Sequence, residues 1–155
     1  MVHIVINTDG ACLGNPGPGG YAASLVRVSD GIVVRKAIES GRAADTTNNQ
    51  MELKAAIAGL QRIKRDETAP ITLRSDSQYL INGMNDWLPR WRSNNWRSAN
   101  GKPVKNVDLW QRLDALSTGL QITWTWVKGH SGDQGNEEVD SVASQQAHLA
   151  QAASQ

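Results

Sequence analysis

Tyr21-Ala22-Ala23-Ser24-Leu25-Val26-Arg27-Val28-Ser29-Asp30-Gly31-Ile32-Val33-Val34-Arg35-Lys36-Ala37-Ile38-Glu39-Ser40 is the stretch that decides the architecture. Two β-branched, apolar runs, Tyr21 to Val28 and Ile32 to Ser40, flank Ser29-Asp30-Gly31, a turn signal, so the pair reads as a hairpin. Upstream, Gly14-Asn15-Pro16-Gly17-Pro18-Gly19-Gly20 is turn chemistry. Before it, Val2 to Thr8 alternates, with Val2, Ile4 and Ile6 on one face, and forms a first strand. Downstream, Thr46 or Thr47 caps a helix whose apolar positions are Leu53, Ala56, Ile57, Leu60 and Ile63, ending near Arg65 before Ala69-Pro70. Ile71 to Arg74 is a short strand, and Ser75 to Ser77 starts a helix carrying Tyr79, Leu80 and Met84. After a basic, Trp-rich segment come a helix over Val107 to Leu116 and a strand over Gln121 to Val127. A loop over Gly129 to Gly135 and a closing helix from Asn136 to about Ala150 complete the order. The pattern predicts an α/β fold: a five-stranded mixed sheet, three antiparallel strands then two parallel ones, with helices on both faces. Residues 1–150 are expected to form a single domain, including a basic segment at about 87–107, with 151–155 as a frayed tail.

The 155 residues, 39% hydrophobic and 20% charged, suit one domain with a core of its own. No apolar run approaches the roughly 18 residues of a membrane helix. An acid in a patterned site by position 9 leaves no space for a signal peptide, and Cys12 is the only cysteine, so a cytoplasmic protein is expected. Net charge is only +1, but Arg90, Arg92, Arg97, Lys102 and Lys105 fall between residues 88 and 107 with no acid among them. That segment carries +5, which leaves 11 basic and 15 acidic residues, a net of −4, elsewhere. A basic patch on an acidic body fits a surface that meets a phosphate backbone.

Acidic residues recur in distinctive settings: Asp9 and Asp76 at strand ends, Glu52 and Asp140 in helices. Each has an ordinary reading as well. Asp9 before Gly10 fits a turn, Glu52 an exposed helix position, and Asp76 a helix cap, while Asp140 competes with Asp133, Glu137 and Glu138. His130 fits a surface or core position equally. If the fold gathers the carboxylates, their mutual repulsion calls for divalent cations, and oxygen-only ligands suit Mg²⁺ or Mn²⁺. No Cys/His spacing supports zinc, and the glycine-rich loop lacks the Gly-Lys-Ser/Thr ending of a P-loop.

The ordered blocks Thr8-Asp9-Gly10-Ala11-Cys12 with Gly14-Asn15-Pro16-Gly17, Thr47-Asn48-Asn49-Gln50-Met51-Glu52-Leu53, Ser75-Asp76-Ser77-Gln78-Tyr79, Val127-Lys128-Gly129-His130-Ser131-Gly132 and Asn136-Glu137 through Asp140 resemble the bacterial type 1 ribonucleases H. The run Lys102-Pro103-Val104-Lys105-Asn106-Val107-Asp108-Leu109-Trp110 is also typical of that family. The resemblance implies a monomeric endonuclease that hydrolyses the RNA strand of RNA/DNA hybrids, leaving 5′-phosphate and 3′-hydroxyl ends. It implies two-metal catalysis with Mg²⁺, or Mn²⁺ in its place, on Asp9, Glu52, Asp76 and Asp140. His130 is implied as an aid to proton transfer or product departure. Other readings on the same architecture are a transposase-like or junction-resolving nuclease and a non-catalytic nucleic-acid-binding module.

The same match implies contacts to 2′-hydroxyls or base edges from Cys12 (through its backbone), Asn15, Asn48 and Gln78, and a DNA-strand phosphate at Thr47 and Asn106. The family's third phosphate partner, an Arg on the second strand, has Val26 in its place, with Arg27 one residue later on the opposite face. Arg92, Arg97 and Lys102 belong to the basic handle expected to grip DNA, although Ser93, Asn94 and Asn95 stand where bases often cluster. Trp87 and Trp91, four apart on one helix face, and Trp96 fit either packing of that handle or contact with deoxyribose.

Overall fold

The computed structural model describes residues 1–154 and contains one five-stranded sheet ordered β3-β2-β1-β4-β5. β1 (Val2–Cys12), β2 (Gly17–Ser29) and β3 (Ile32–Thr46) form the antiparallel meander. β4 (Ile71–Ser75) runs parallel to β1, and β5 (Ile122–Trp126) parallel to β4. α1 (Asn48–Gln61) follows the meander. α2 (Gln78–Asn82) continues through a π-helical turn (Gly83–Trp87) into α3 (Leu88–Ser93), and α4 (Val107–Ser117) and α5 (Gln134–Ala153) complete the order. Alternation along the strands separates two apolar layers. Ile4, Ile6, Ala23, Leu25 and Leu73 pack with Leu53, Ala56 and Leu60 of α1, and with Trp110 and Leu113 of α4 behind it. On the other face Ala22 packs against Val139 and Ala143 of α5. Among the described residues no helix is long and apolar enough to cross a membrane.

Several elements depart from their sequence-based limits, each for a local reason. β2 starts at Gly17, inside the stretch expected to be a loop. There glycine serves close approach rather than a turn: a Cβ on Gly20 would lie 2.3 Å from the Ala143 carbonyl oxygen of α5. β3 continues beyond Ser40 to Thr46 because Gly41 lies opposite Tyr21, whose ring covers it. α1 ends at Gln61 rather than near Arg65, as Arg62 and Ile63 turn back onto the carbonyls of Gly59 and Leu60. α5 begins at Gln134 because Asp133 caps it, accepting the Asn136 N–H at 3.0 Å. It also runs through Gln151, Ala152 and Ala153, part of the expected frayed tail, since nothing there breaks a helix and Ser154 bonds back to the Ala150 carbonyl at 3.0 Å. Gln155 lies outside the described residues.

The handle is fastened by aromatic packing. Trp110 is fully buried, and its ring stands 5.2 Å from Tyr79 and 5.1 Å from Trp91, centroid to centroid. Trp87 and Trp96 extend the cluster at 5.9 and 6.3 Å from Trp91. The π-helical turn opens at Gly83, whose missing side chain admits the Trp110 ring: a Cβ there would come within 2.0 Å of it. Gly83→Ala should therefore destabilise the protein by about 1–3 kcal/mol in urea unfolding, since an added methyl overpacks a filled site. An unchanged midpoint would show that the indole moves aside freely.

Candidate active site

The parallel register pairs Thr8 with Ser75, so Asp9 and Asp76, the next residues, stand side by side where the β1–β4 pairing ends. Asp76 follows the end of β4 as expected, but Asp9 lies inside β1 rather than at its end, because pairing with β2 carries that strand on to Cys12. This is the crevice at the carboxyl ends of parallel strands where α/β folds bind ligands. Glu52 reaches the same point from the second turn of α1. Thr47 caps that helix, its hydroxyl accepting the Gln50 N–H at 3.2 Å. Gly10 lets the helix settle on β1: a Cβ there would lie 2.5 Å from the Glu52 nitrogen. Carboxylate oxygens of Asp9, Glu52 and Asp76 all lie within 4.8 Å of one another. Asp140, on α5, lines the same cleft of about 390 Å³ but stands outside that tight trio. His130 lies on the cleft wall, exposed, with a left-handed backbone (φ 54°).

Asp9 is 3% and Glu52 4% exposed. Burial, with Asp76 and Asp140 adding repulsion, pushes the Asp9 carboxyl up to about 9. Burial first, then the neighbouring Asp9 and Asp76 charges, raises Glu52 well above the usual carboxylate range. Among the described residues, none of the four carboxylates forms an ion pair. Glu52 Oε1 is buried with no hydrogen-bond partner. An oxygen-only cluster with an orphaned buried carboxylate oxygen fits a hard divalent cation.

The remaining sequence candidates are placed as follows. Asn48 and Gln78 line the cleft. Asn15 borders α1, its Oδ1 accepting the Asn48 N–H at 2.9 Å, and Cys12 points its half-buried thiol at the Thr46 carbonyl, 3.3 Å away. Thr47 and Asn106 are brought together through Gln50, whose Nε2 donates to Asn106 Oδ1 at 3.3 Å. Asn106 in turn donates to the Tyr79 hydroxyl, 3.1 Å away, which also accepts from Trp110 Nε1 at 3.1 Å. Neither Gln50 nor Tyr79 carries a local sequence signal for these roles, since their shared partner Asn106 lies 56 and 27 residues away. Arg92 is drawn into an ion pair with Asp114 of α4, and Arg97 donates to the Gly101 carbonyl at 2.9 Å. Lys102 is exposed and makes no ion pair among the described residues. Trp87, Trp91 and Trp96 are all half-buried in the aromatic cluster. Arg27 is committed to Glu67 at 2.6 Å, near the opposite end of β2 from the cleft.

A mixed sheet with an oxygen-only carboxylate cluster where its parallel pairing ends defines the class: an α/β protein whose acids could hold a divalent cation. Residues 2–148 match the family model for RNase H. The chain is 53% identical over 141 residues to a ribonuclease H of Francisella philomiragia, covering 91% of this chain and 88% of that one. It is 50% identical over 144 residues to a ribonuclease H of Jannaschia, covering 92% and 90%. The crystal structure of LC9-RNase H1, described as a type 1 RNase H with the type 2 active-site motif, superposes with a TM-score of 0.84 at 28% identity, covering 94% of this chain and 72% of that one. The chain belongs to the ribonuclease H family.

The raised carboxyls set the pH dependence of the metal-free protein. A group whose folded pKa lies above its ordinary value stabilises fully below that value and loses the contribution as pH rises through the folded pKa. Asp9 therefore withdraws stability progressively from about pH 4 to about 9, and Glu52 acts in the same direction. Asp133 works oppositely: hydrogen bonding to Arg74 lowers its carboxyl to about 2, so its contribution is lost only as pH falls below 4. Unfolding of the metal-free protein should show stability declining from pH 5 to 9, with Asp9→Asn flattening that slope and raising stability at neutral pH. A slope unaltered by Asp9→Asn would remove Asp9 as its source.

Proposed function

We propose that this member of the ribonuclease H family hydrolyses the RNA strand of RNA/DNA hybrids by two-metal-ion catalysis, leaving 5′-phosphate and 3′-hydroxyl ends. The observation that carries the reading is the Asp9–Glu52–Asp76 cluster, gathered where the β1–β4 pairing ends, with Asp9 and Glu52 buried and no basic side chain paired to any of the three among the described residues. Asp9, Glu52, Asp76 and Asp140 would hold two Mg²⁺ ions, or Mn²⁺ in their place, which supply Lewis acidity and charge neutralisation at the scissile phosphate. His130 sits at the rim on a loop flanked by Gly129 and Gly132, where it can take up or release a proton as water attacks and the 3′-oxygen leaves. Gly129 lies so close to Asp76 that a Cβ there would meet Asp76 Oδ2 at 2.6 Å, so the loop and the carboxylate keep one spacing.

Substrate selection follows from groups around the cleft. Asn15, Asn48, Gln78 and the Cys12 backbone present donors and acceptors to 2′-hydroxyls in a wide minor groove, the feature that separates RNA from DNA. Thr47 and Asn106, held together by Gln50, offer a hydroxyl and an amide to a phosphate of the DNA strand. The handle supplies charge through Arg97 and Lys102, while Arg92 and the indoles hold it in place. With backbone contacts dominant, cleavage is expected to depend little on sequence and steeply on salt. A monomer in the cytoplasm is the setting we propose, and a single half-buried cysteine suits a reducing compartment.

The decisive assay is Mg²⁺-dependent cleavage of a labelled hybrid beside single-strand, double-stranded DNA and double-stranded RNA controls. Cleavage confined to the RNA of the hybrid supports the reading, and preference for a homoduplex overturns it. Asp9→Asn should abolish turnover while the protein stays folded, and His130→Ala should slow kcat by about 10²-fold or more without abolishing it. Replacing Arg97 and Lys102 together by Ala should raise KM and flatten the salt dependence at nearly constant kcat, since each phosphate contact contributes about one log unit of affinity per log unit of salt.

A further inference from the structure

Asn7, Arg74 and Asp133 meet on the α5 side of the sheet, beside the carboxylates but outside the cleft. Asn7 and Arg74 face each other across the parallel β1–β4 register. Arg74 Nη1 donates to Asn7 Oδ1 at 2.8 Å and to Asp133 Oδ1 at 3.2 Å, while Nη2 closes on the second Asp133 oxygen. Asp133 is also the cap of α5. Gly135, in the first turn of that helix, leaves space for Asn7: a Cβ there would lie 2.6 Å from the Asn7 amide nitrogen.

The spacing of these residues repeats that of the carboxylates. Asn7 precedes Asp9 by two, Arg74 precedes Asp76 by two, and Asp133 precedes Asp140 by seven. Asn7 and Asp9 share a face of β1, Arg74 stands two residues before Asp76 at the end of β4, and Asp133 caps the helix that carries Asp140 about two turns on. The clamp therefore joins the three elements that carry Asp9, Asp76 and Asp140. It also ties one end of the His130 loop. The other end is held by Trp126 Nε1 on the Asp76 carbonyl at 3.0 Å and by the Val127 N–H on the Ser75 carbonyl at 2.9 Å.

We infer that Arg74 is a positioning residue: it fixes the start of α5 and the His130 loop against the β1–β4 pair, and so sets where Asp140 and His130 stand relative to Asp9 and Asp76. A forked guanidinium spans Asn7 and both oxygens of Asp133 at once, which the single ammonium of a lysine cannot reproduce. The functional consequence rests on the metal reading above, while the positioning itself does not.

Arg74→Ala and Arg74→Lys are compared with Arg65→Ala, which removes a guanidinium bonded to the carbonyls of Ala115, Leu116 and Thr118. Amide hydrogen exchange over residues 127–142 is read in the metal-free protein, and Mg²⁺ affinity by calorimetry without substrate. In Arg74→Ala, exchange in that segment should rise about tenfold more than in the C-terminal half of α5. Mg²⁺ affinity should fall about tenfold, the usual cost of losing a group that orients metal ligands. KM for hybrid should stay within about twofold while kcat falls. Arg74→Lys should fall between, and it carries the comparison if Arg74→Ala does not fold. Exchange unchanged over 127–142, or effects no larger than those of Arg65→Ala, would overturn the inference. Faster exchange in a protein whose wild type binds no Mg²⁺ would uphold the positioning role and remove the metal reading instead.

Discussion

Asp9, Glu52 and Asp76 would repel one another if all were ionised, since their oxygens lie within 4.8 Å and Asp9 and Glu52 are buried. A protein that needed only to fold would place aliphatic side chains there, or give each acid a basic partner. Here none is supplied; burial and crowding instead push the Asp9 carboxyl up to about 9 and raise Glu52 in the same direction. Such an arrangement persists only if the surrounding structure is rigid enough to hold it, and it becomes favourable once a divalent cation enters.

That rigidity is distributed. Each carboxylate comes from a different element, and each element is pinned close to the cluster by a feature with no other evident purpose. Gly10 admits the N-terminal turns of α1, Gly129 closes on Asp76, and Gly20 seats α5 on β2. On the handle side, Trp110 fills the space left by Gly83, and its indole N–H meets the Tyr79 hydroxyl that also holds Asn106. The aromatic cluster thus serves two ends: it fixes the basic segment, and it connects that segment to the Thr47–Gln50–Asn106 group beside the cleft.

Element order and sheet topology were legible in the sequence, because strand alternation, helix periodicity and turn residues are local signals; the four acids, singled out by their motif settings, line one cleft. Glycines misled where they served contact rather than turning. Gly17, Gly19 and Gly20 read as loop yet belong to β2, and Gly41 lies inside a strand under Tyr21. Two distinctions were beyond local reading. Asp140 joins the cleft but not the tight trio, which depends on the path of α5. Arg92, expected among the cations available to substrate, is drawn to Asp114, 22 residues on, because α4 returns beneath the handle.

The central claim is that cation binding relieves a proton-retaining, self-repelling carboxylate cluster. It is tested most directly by titrating Mg²⁺ into the metal-free protein at pH 7 in buffers of different ionisation enthalpy. The proton held on Asp9 must leave as the ion enters, so the observed heat should vary linearly with buffer enthalpy, with a slope that reports net proton release. Binding heats identical in every buffer would contradict the account.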